Sequence, residues 1–179
     1  PCRRRWGALE SARTVVVEMN AAVPFTHCEP PIPLERIDYI VESNRAPTMF
    51  PSPQIDEQSQ AVGRHAASII RDGDTVQIGI GRLQAAAMRE LTGHRDLGFH
   101  SGLISDEVLD LVEAGAMTGA CKKRDQGLIV TGAVFGSQRL YDFVTDPSVR
   151  LHGVGYTHDI PTIASLDNFV SINACMQVD

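Results

Sequence analysis

TVQIGIGRLQAAAMRELTGHRDLGFHSGLISD, residues 75–106, decides the fold. It opens with an apolar run, Val76, Ile78 and Ile80, interrupted by Gln77 and closed by Gly79 and Gly81. A helix-forming segment, residues 83–91, follows at once. A strand that runs into glycines and then a helix leaves a crevice at its carboxyl end. Free backbone N–H groups point into such a crevice, ready for an anion or a polarised carbonyl. Residues 97–101 read as the next strand, ending in the polar cluster His100, Ser101, Gly102, Ser105 and Asp106. Two neighbouring strand ends of this kind make a rim suited to an active site, with His100 bordering the crevice. The spacing fits equally well with glycines that serve only close helix–strand packing.

Working outward, residues 14–19 (TVVVEM) form a β-branched run that predicts a buried strand. Residues 20–33 hold four prolines and read as loop, and residues 37–41 read as a second short strand. Pro47, Pro51 and Pro53 then mark a linker over residues 46–53, expected to be extended with few contacts. The domain division that follows is 1–45, linker 46–53 and 54–179. Beyond the linker, Ile55, Ser59, Val62, Ala66, Ile69 and Ile70 fall on one helical face, with Asp56 and Glu57 in the first turn. Residues 106–114 predict a helix with Val108, Leu109, Leu111 and Val112 inward and Gly115 as its stop. Residues 128–135 read as strand, 137–144 as a short helix, and 151–154 and 169–173 as further strands. This alternation predicts an α/β domain with a largely parallel sheet and flanking helices. The chain starts and stops in mid-pattern, which reads as an excerpt of something longer.

Composition narrows the function classes. The 179 residues are 43% hydrophobic, enough for a real core. Sixteen basic against 22 acidic residues give a net charge of −6, which argues against a nucleic-acid surface. No basic run exceeds three residues, and one such run, Arg3-Arg4-Arg5, sits at a chain end. No apolar run reaches the roughly 18 residues of a membrane span, and nothing resembles a signal peptide, so a cytoplasmic protein is expected. Cys2, Cys28, Cys121 and Cys175 are scattered with no CxxC pair, which predicts reduced thiols and no metal site.

Familiar motifs are absent. Gln84 replaces the third glycine of a dinucleotide fingerprint after Gly79 and Gly81, and no Lys-Ser/Thr follows as in a phosphate loop. No GxSxG elbow exists. The six histidines form no i, i+4 metal pair. Among them His100 is the best candidate for chemistry, against a hydrogen-bonded structural role. Gln77 is more informative. A polar amide inside an apolar strand must find a partner, either in the core or on a bound carbonyl.

Six blocks occur in an order that resembles one family: IGIG (78–81), HRDLGFHS (94–101), SDEVLDLVEAG (105–115), GSQRLYDFV (136–144), YTHDIPTIA (156–164) and FVSINA (169–174). They are similar to the acetyl-CoA hydrolase/transferase family, which includes 4-hydroxybutyrate and butyrate:acetate CoA-transferases. PFTHC (24–28) resembles the family's interdomain approach, with Cys28 where glycine is usual. The resemblance implies a NagB/RpiA/CoA-transferase-like α/β fold, with 1–45 as the tail of a first such domain and 54–179 as part of a second. It implies coenzyme A or acyl-CoA as substrate with a small carboxylic acid, and no permanently bound cofactor. As partner it implies a second copy or the remainder of a two-domain protein. It also implies ping-pong nucleophilic catalysis through a glutamate. The oxyanion glutamine of that family matches Gln77, and Gly79 and Gly81 match its cofactor-binding glycines.

The departures are as informative. The family's nucleophile stands in a block usually reading HSE or HTE, and here that block is His100-Ser101-Gly102. Glycine cannot form a glutamyl thioester. Glu107 is the nearest acid, but it falls five residues on at a helix start, where the family usually has glycine. Met176-Gln177 stands where a glutamate is usual. Three readings follow: an acyl-CoA transferase or hydrolase relative, a divergent homologue that binds CoA without covalent transfer, and a non-enzymatic assembly segment.

Overall fold

Two parallel sheets organise residues 9, 11–29 and 31–175, the residues described by the computed structural model. Cys2, the Arg3-Arg4-Arg5 run and Met176-Gln177 lie outside them. The smaller sheet pairs β1 (Val16–Asn20) with β3 (Tyr39–Ser43), aligning Val16 with Tyr39. The larger has six strands in the order β2 (Cys28–Glu29), β7 (Val149–His152), β6 (Ile129–Thr131), β5 (Gly98–His100), β4 (Thr75–Ile78), β8 (Phe169–Ile172). All five pairings in it are parallel.

Two expectations for the first 45 residues change. The β-branched run does form a strand, but not a buried one: Val16 is 59% and Met19 54% exposed. Periodicity predicts a strand, while burial needs a covering layer, and the described residues supply none over β1 and β3. The proline-rich loop, in turn, contains β2, which joins the edge of the larger sheet beside β7, with Leu151 N–H donating to the His27 carbonyl at 2.8 Å. Prolines on either side hid a strand of two residues.

Residues 46–53 have no regular structure, as their prolines demand, yet they are not free of contacts. Phe50 N–H donates to the Gly136 carbonyl at 3.0 Å, and the Phe50 ring meets Phe135 edge-on at 5.1 Å. Asp56 then caps α1 (Glu57–Ala67), its carboxylate accepting from Ser59 N–H at 2.8 Å. The buried face of α1 is Ser59, Gly63, Ala67 rather than one centred on Val62 and Ile69, which are exposed. That face packs on α2 (Arg82–Arg89), where small residues permit close approach.

The hydrophobic core lies between this helix layer and one side of the sheet, around Val76, Ile78, Phe99, Met88, Leu91 and Leu111. The helix α3 (Asp106–Glu113) brings Val108 and Leu111 into it, and Gly115 ends it at φ +73°, a left-handed stop that favours glycine. After α4 (Gln138–Phe143) and β7 come two short helices, α5 (Val154–Thr157) and α6 (Ile160–Ala164), where the alternation predicted strand up to residue 154. Asp159 caps α6 through Thr162 N–H. β6 is likewise shorter than residues 128–135, reduced to three residues and one bridge from Val134 to Ile104.

Candidate functional site

The site grows from the register of β4 on β5. Thr75 aligns with Gly98 and Val76 with Phe99, which carries Gln77 alongside His100. Gln77 and Gly102 thus occupy neighbouring strand ends, within roughly 10 Å by ordinary sheet spacing. Past Ile78 the chain turns through Gly79 and Gly81 into α2. Gly81 has φ +142°, a conformation that L side chains rarely adopt, and its carbonyl accepts the first helical N–H, from Ala85. A Cβ on Gly79 would come within 2.8 Å of Asn173 Oδ1. A crevice of about 100 Å³ opens here, bounded by Gly79, Gly81, Gln84, Leu103, Glu107 and Phe135, with residues 50–53 on its outer side.

Alternation along the strands divides the predicted residues between two faces. Ile78 faces the crevice, which Gly79 and Gly81 border at the turn beyond the strand. Gln77 faces the other side, where a Cβ on Gly79 would also point, at Asn173. Its Oε1 accepts from Ser171 Oγ and from Asn173 Nδ2 (3.1 Å), and its Nε2 donates to the Ile78 carbonyl at 2.8 Å. One amide N–H is left over. Ser171 and Asn173, at the end of the adjacent β8, orient this amide. Their signal in the sequence was the FVSINA stretch, polar residues alternating at a strand end.

His100 shares the face of Gln77 but does not border the crevice. It is fully enclosed, with Tyr156 at 5.8 Å and Phe169 at 6.4 Å between ring centroids. Neither ring nitrogen has a hydrogen-bond partner of good geometry, and the nearby Tyr156 and Thr157 backbone favours the charged ring less than burial disfavours it. Burial, and then the charge of Lys122, push this imidazole down to about 4. A neutral histidine boxed in this way is no proton shuttle at ordinary pH. Lys122 is a buried cation the sequence did not disclose. Its ammonium donates to the carbonyls of Phe99 (3.1 Å) and Leu128 (2.8 Å), and burial lowers it to about 8. Tyr156 stacks on His152 at 4.3 Å, donates to Asp125 Oδ2 (2.8 Å) and accepts from Arg124 Nε (2.9 Å). These contacts fix α5 across the sheet.

Gly102 is where the two halves of the site meet. A Cβ built there would coincide with the His158 ring, overlapping Cε1 and standing 3.0 Å from Nε2. The two nearby acids are committed elsewhere. Asp106 accepts from Ser137 N–H and Oγ, tying the start of α3 to the start of α4. Glu107 accepts from Ser105 Oγ at 2.8 Å and faces Arg89 at 3.5 Å, on the crevice side. Among the described residues no three His, Cys, Asp or Glu side chains gather as metal ligands, and no helix is long and apolar enough to cross a membrane.

A model of the acetyl-CoA hydrolase/transferase C-terminal domain matches residues 136–179. The 4-hydroxybutyrate coenzyme A transferase of Clostridium kluyveri is 39% identical over 173 residues, covering 96% of this chain and 40% of that protein. The succinyl-CoA:cyclohexane-1-carboxylate CoA transferase of Geobacter metallireducens is 32% identical over the same share of each. Among solved structures, a 4-hydroxybutyrate CoA-transferase from Porphyromonas gingivalis superposes with a TM-score of 0.89 at 34% identity, over 97% of this chain and 44% of that one. RipA from Yersinia pestis follows at 0.88 and 30%, over 96% and 40%. The chain spans about 40% of the length of the curated relatives it matches.

Proposed function

The chain belongs to the acetyl-CoA hydrolase/transferase family, and from that premise we propose that its whole protein cleaves the thioester of a small acyl-CoA in the cytoplasm. The coenzyme A goes to a carboxylic acid of the acetate or 4-hydroxybutyrate type, or is released to water. No permanently bound cofactor is required. The observation that carries this reading is the paired strand ends, where the held Gln77 amide keeps one N–H free on the strand next to Gly102. That N–H stabilises the negative charge that develops on the thioester oxygen. The turn at Gly79 and Gly81 offers backbone to the coenzyme A moiety along the crevice. The remainder of a two-domain protein, or a second copy, closes the other side. His100 acts only by supporting Tyr156 and the layer above it.

Position 102 has no carboxylate, so no covalent adduct forms there and the acceptor attacks the thioester directly. The test is a panel of acetyl-, butyryl- and 4-hydroxybutyryl-CoA, with and without acetate, scored for free CoA and for exchanged acyl-CoA. Turnover without an adduct mass on this chain is the expected result. Absence of both binding and turnover would sink the proposal. The missing side chain at Gly102 also favours a second reading, a homologue that binds CoA without cleaving it; the panel would then register binding with no release.

A further inference from the structure

Position 102 lacks a side chain, yet the space beside it is filled. The His158 imidazole stands there, with Nε2 3.0 Å and Nδ1 3.5 Å from where a Cβ would be. It arrives from the layer that α5 lays over the sheet, anchored by Thr157, which is buried, and by Tyr156, packed beside His100 and His152. His158 itself is exposed, so water reaches it.

Thr157 Oγ1 lies 2.9 Å from His158 Nδ1 and 3.4 Å from the Gly153 carbonyl. When its single proton goes to that carbonyl, Oγ1 accepts from Nδ1–H and the ring proton is on Nδ1. In that form Nε2 keeps its lone pair, and after Cε1 it is the ring atom nearest to position 102. A basic nitrogen held by a hydrogen bond on its far side, open to water, and placed at the strand end beside Gln77 has the parts of a general base.

We propose that His158 is a catalytic base that activates water against the acyl-CoA thioester, so that the acceptor is water and the whole protein is a hydrolase. This rests on the acyl-CoA reading above. In the step, His158 Nε2 takes a proton from water as the water oxygen bonds to the acyl carbon, and the Gln77 N–H meets the carbonyl oxygen. The carbon–sulfur bond then breaks and the imidazolium returns its proton to the leaving thiolate. The products are a carboxylic acid and free coenzyme A.

The experiment measures acetyl-CoA hydrolysis by the whole protein beside its His158→Asn and His158→Ala variants. We expect kcat to fall about a hundredfold or more, with KM little changed. Added imidazole should partly restore the Ala variant, which a purely structural loss would not allow. Variants that hydrolyse like the parent overturn the inference. So does a parent that passes CoA to acetate faster than to water, although that result leaves the acyl-CoA reading standing. A parent that neither binds nor cleaves acyl-CoA overturns both.

Discussion

Gly63 of α1 lies on Ala86 of α2 so closely that a Cβ at position 63 would stand 2.7 Å from the Ala86 carbonyl carbon and 2.9 Å from its methyl group. The atoms it meets belong mainly to backbone inside a helix, which cannot swing aside. This contact therefore sets the distance of α2, and of the Gly79–Gly81 turn at its head, from α1.

Gly63→Ala pits helix propensity, about 1 kcal/mol in favour of alanine, against overpacking of about 1–3 kcal/mol. Overpacking should win, because backbone rather than a mobile side chain is displaced. Thermal unfolding should show a Tm lower by a few degrees, and Gly63→Val lower still. An unchanged or higher Tm for the alanine variant would mean that the helices separate freely.

His100 makes a pH prediction. Its folded value, about 4, lies below the ordinary 6.5 because burial and Lys122 disfavour the charged ring. Between those values the unfolded chain binds the proton and the folded chain does not, so stability is lost as pH falls through that window. The full loss is on the order of 3 kcal/mol. His100→Leu gives up no hydrogen bond of good geometry, since neither ring nitrogen makes one. It should keep neutral-pH stability within about 1.5 kcal/mol and flatten the decline between pH 6.5 and 4. Denaturant melts across that range decide it; an equally steep decline in the variant would assign the loss to other groups.

The parallel α/β core after residue 54 was legible because apolar runs of strand length alternate with helical periods and end in glycines. The face of α1 was legible only in part: Ser59 and Ile70 are buried as expected, but Val62 and Ile69 outrank Gly63 and Ala67 in hydrophobicity while only the small residues fit against Ala86. The enclosure of His100 depends on α5 and on Lys122, which reach it from distant parts of the chain. Local pattern records nothing of such crossings. The same holds for His158, an unremarked residue until the sheet order brings its ring over Gly102.

Gly102→Glu should change the kind of chemistry. The new Cβ overlaps His158 whatever rotamer the glutamate adopts, so the ring must leave, and its exposure lets it do so at small cost. Water activation is then lost while a carboxylate enters at the strand end. We expect slower CoA release to water, faster exchange with acetate, and a CoA thioester on residue 102 by mass spectrometry. A variant with no adduct and unchanged hydrolysis would show that this position does not face the thioester.

Gln77 carries the last prediction. Its carbonyl oxygen is held by Ser171 and Asn173 and its amide nitrogen by the Ile78 carbonyl, so one N–H stays fixed in direction at low reorganisation cost. Gln77→Ala removes that donor from a half-exposed cluster, so stability should change by less than about 1 kcal/mol. Loss of an oxyanion donor typically lowers kcat by about 10²–10³. Gln77→Glu should be worse than alanine in turnover despite its similar shape. It places a negative charge beside a developing negative charge and turns a donor into an acceptor. The ordering parent, alanine, glutamate in kcat, with KM nearly constant, is the signature of a group that acts on the transition state. A glutamate variant as active as the parent would remove Gln77 from the chemistry and leave it a positioning residue for β8.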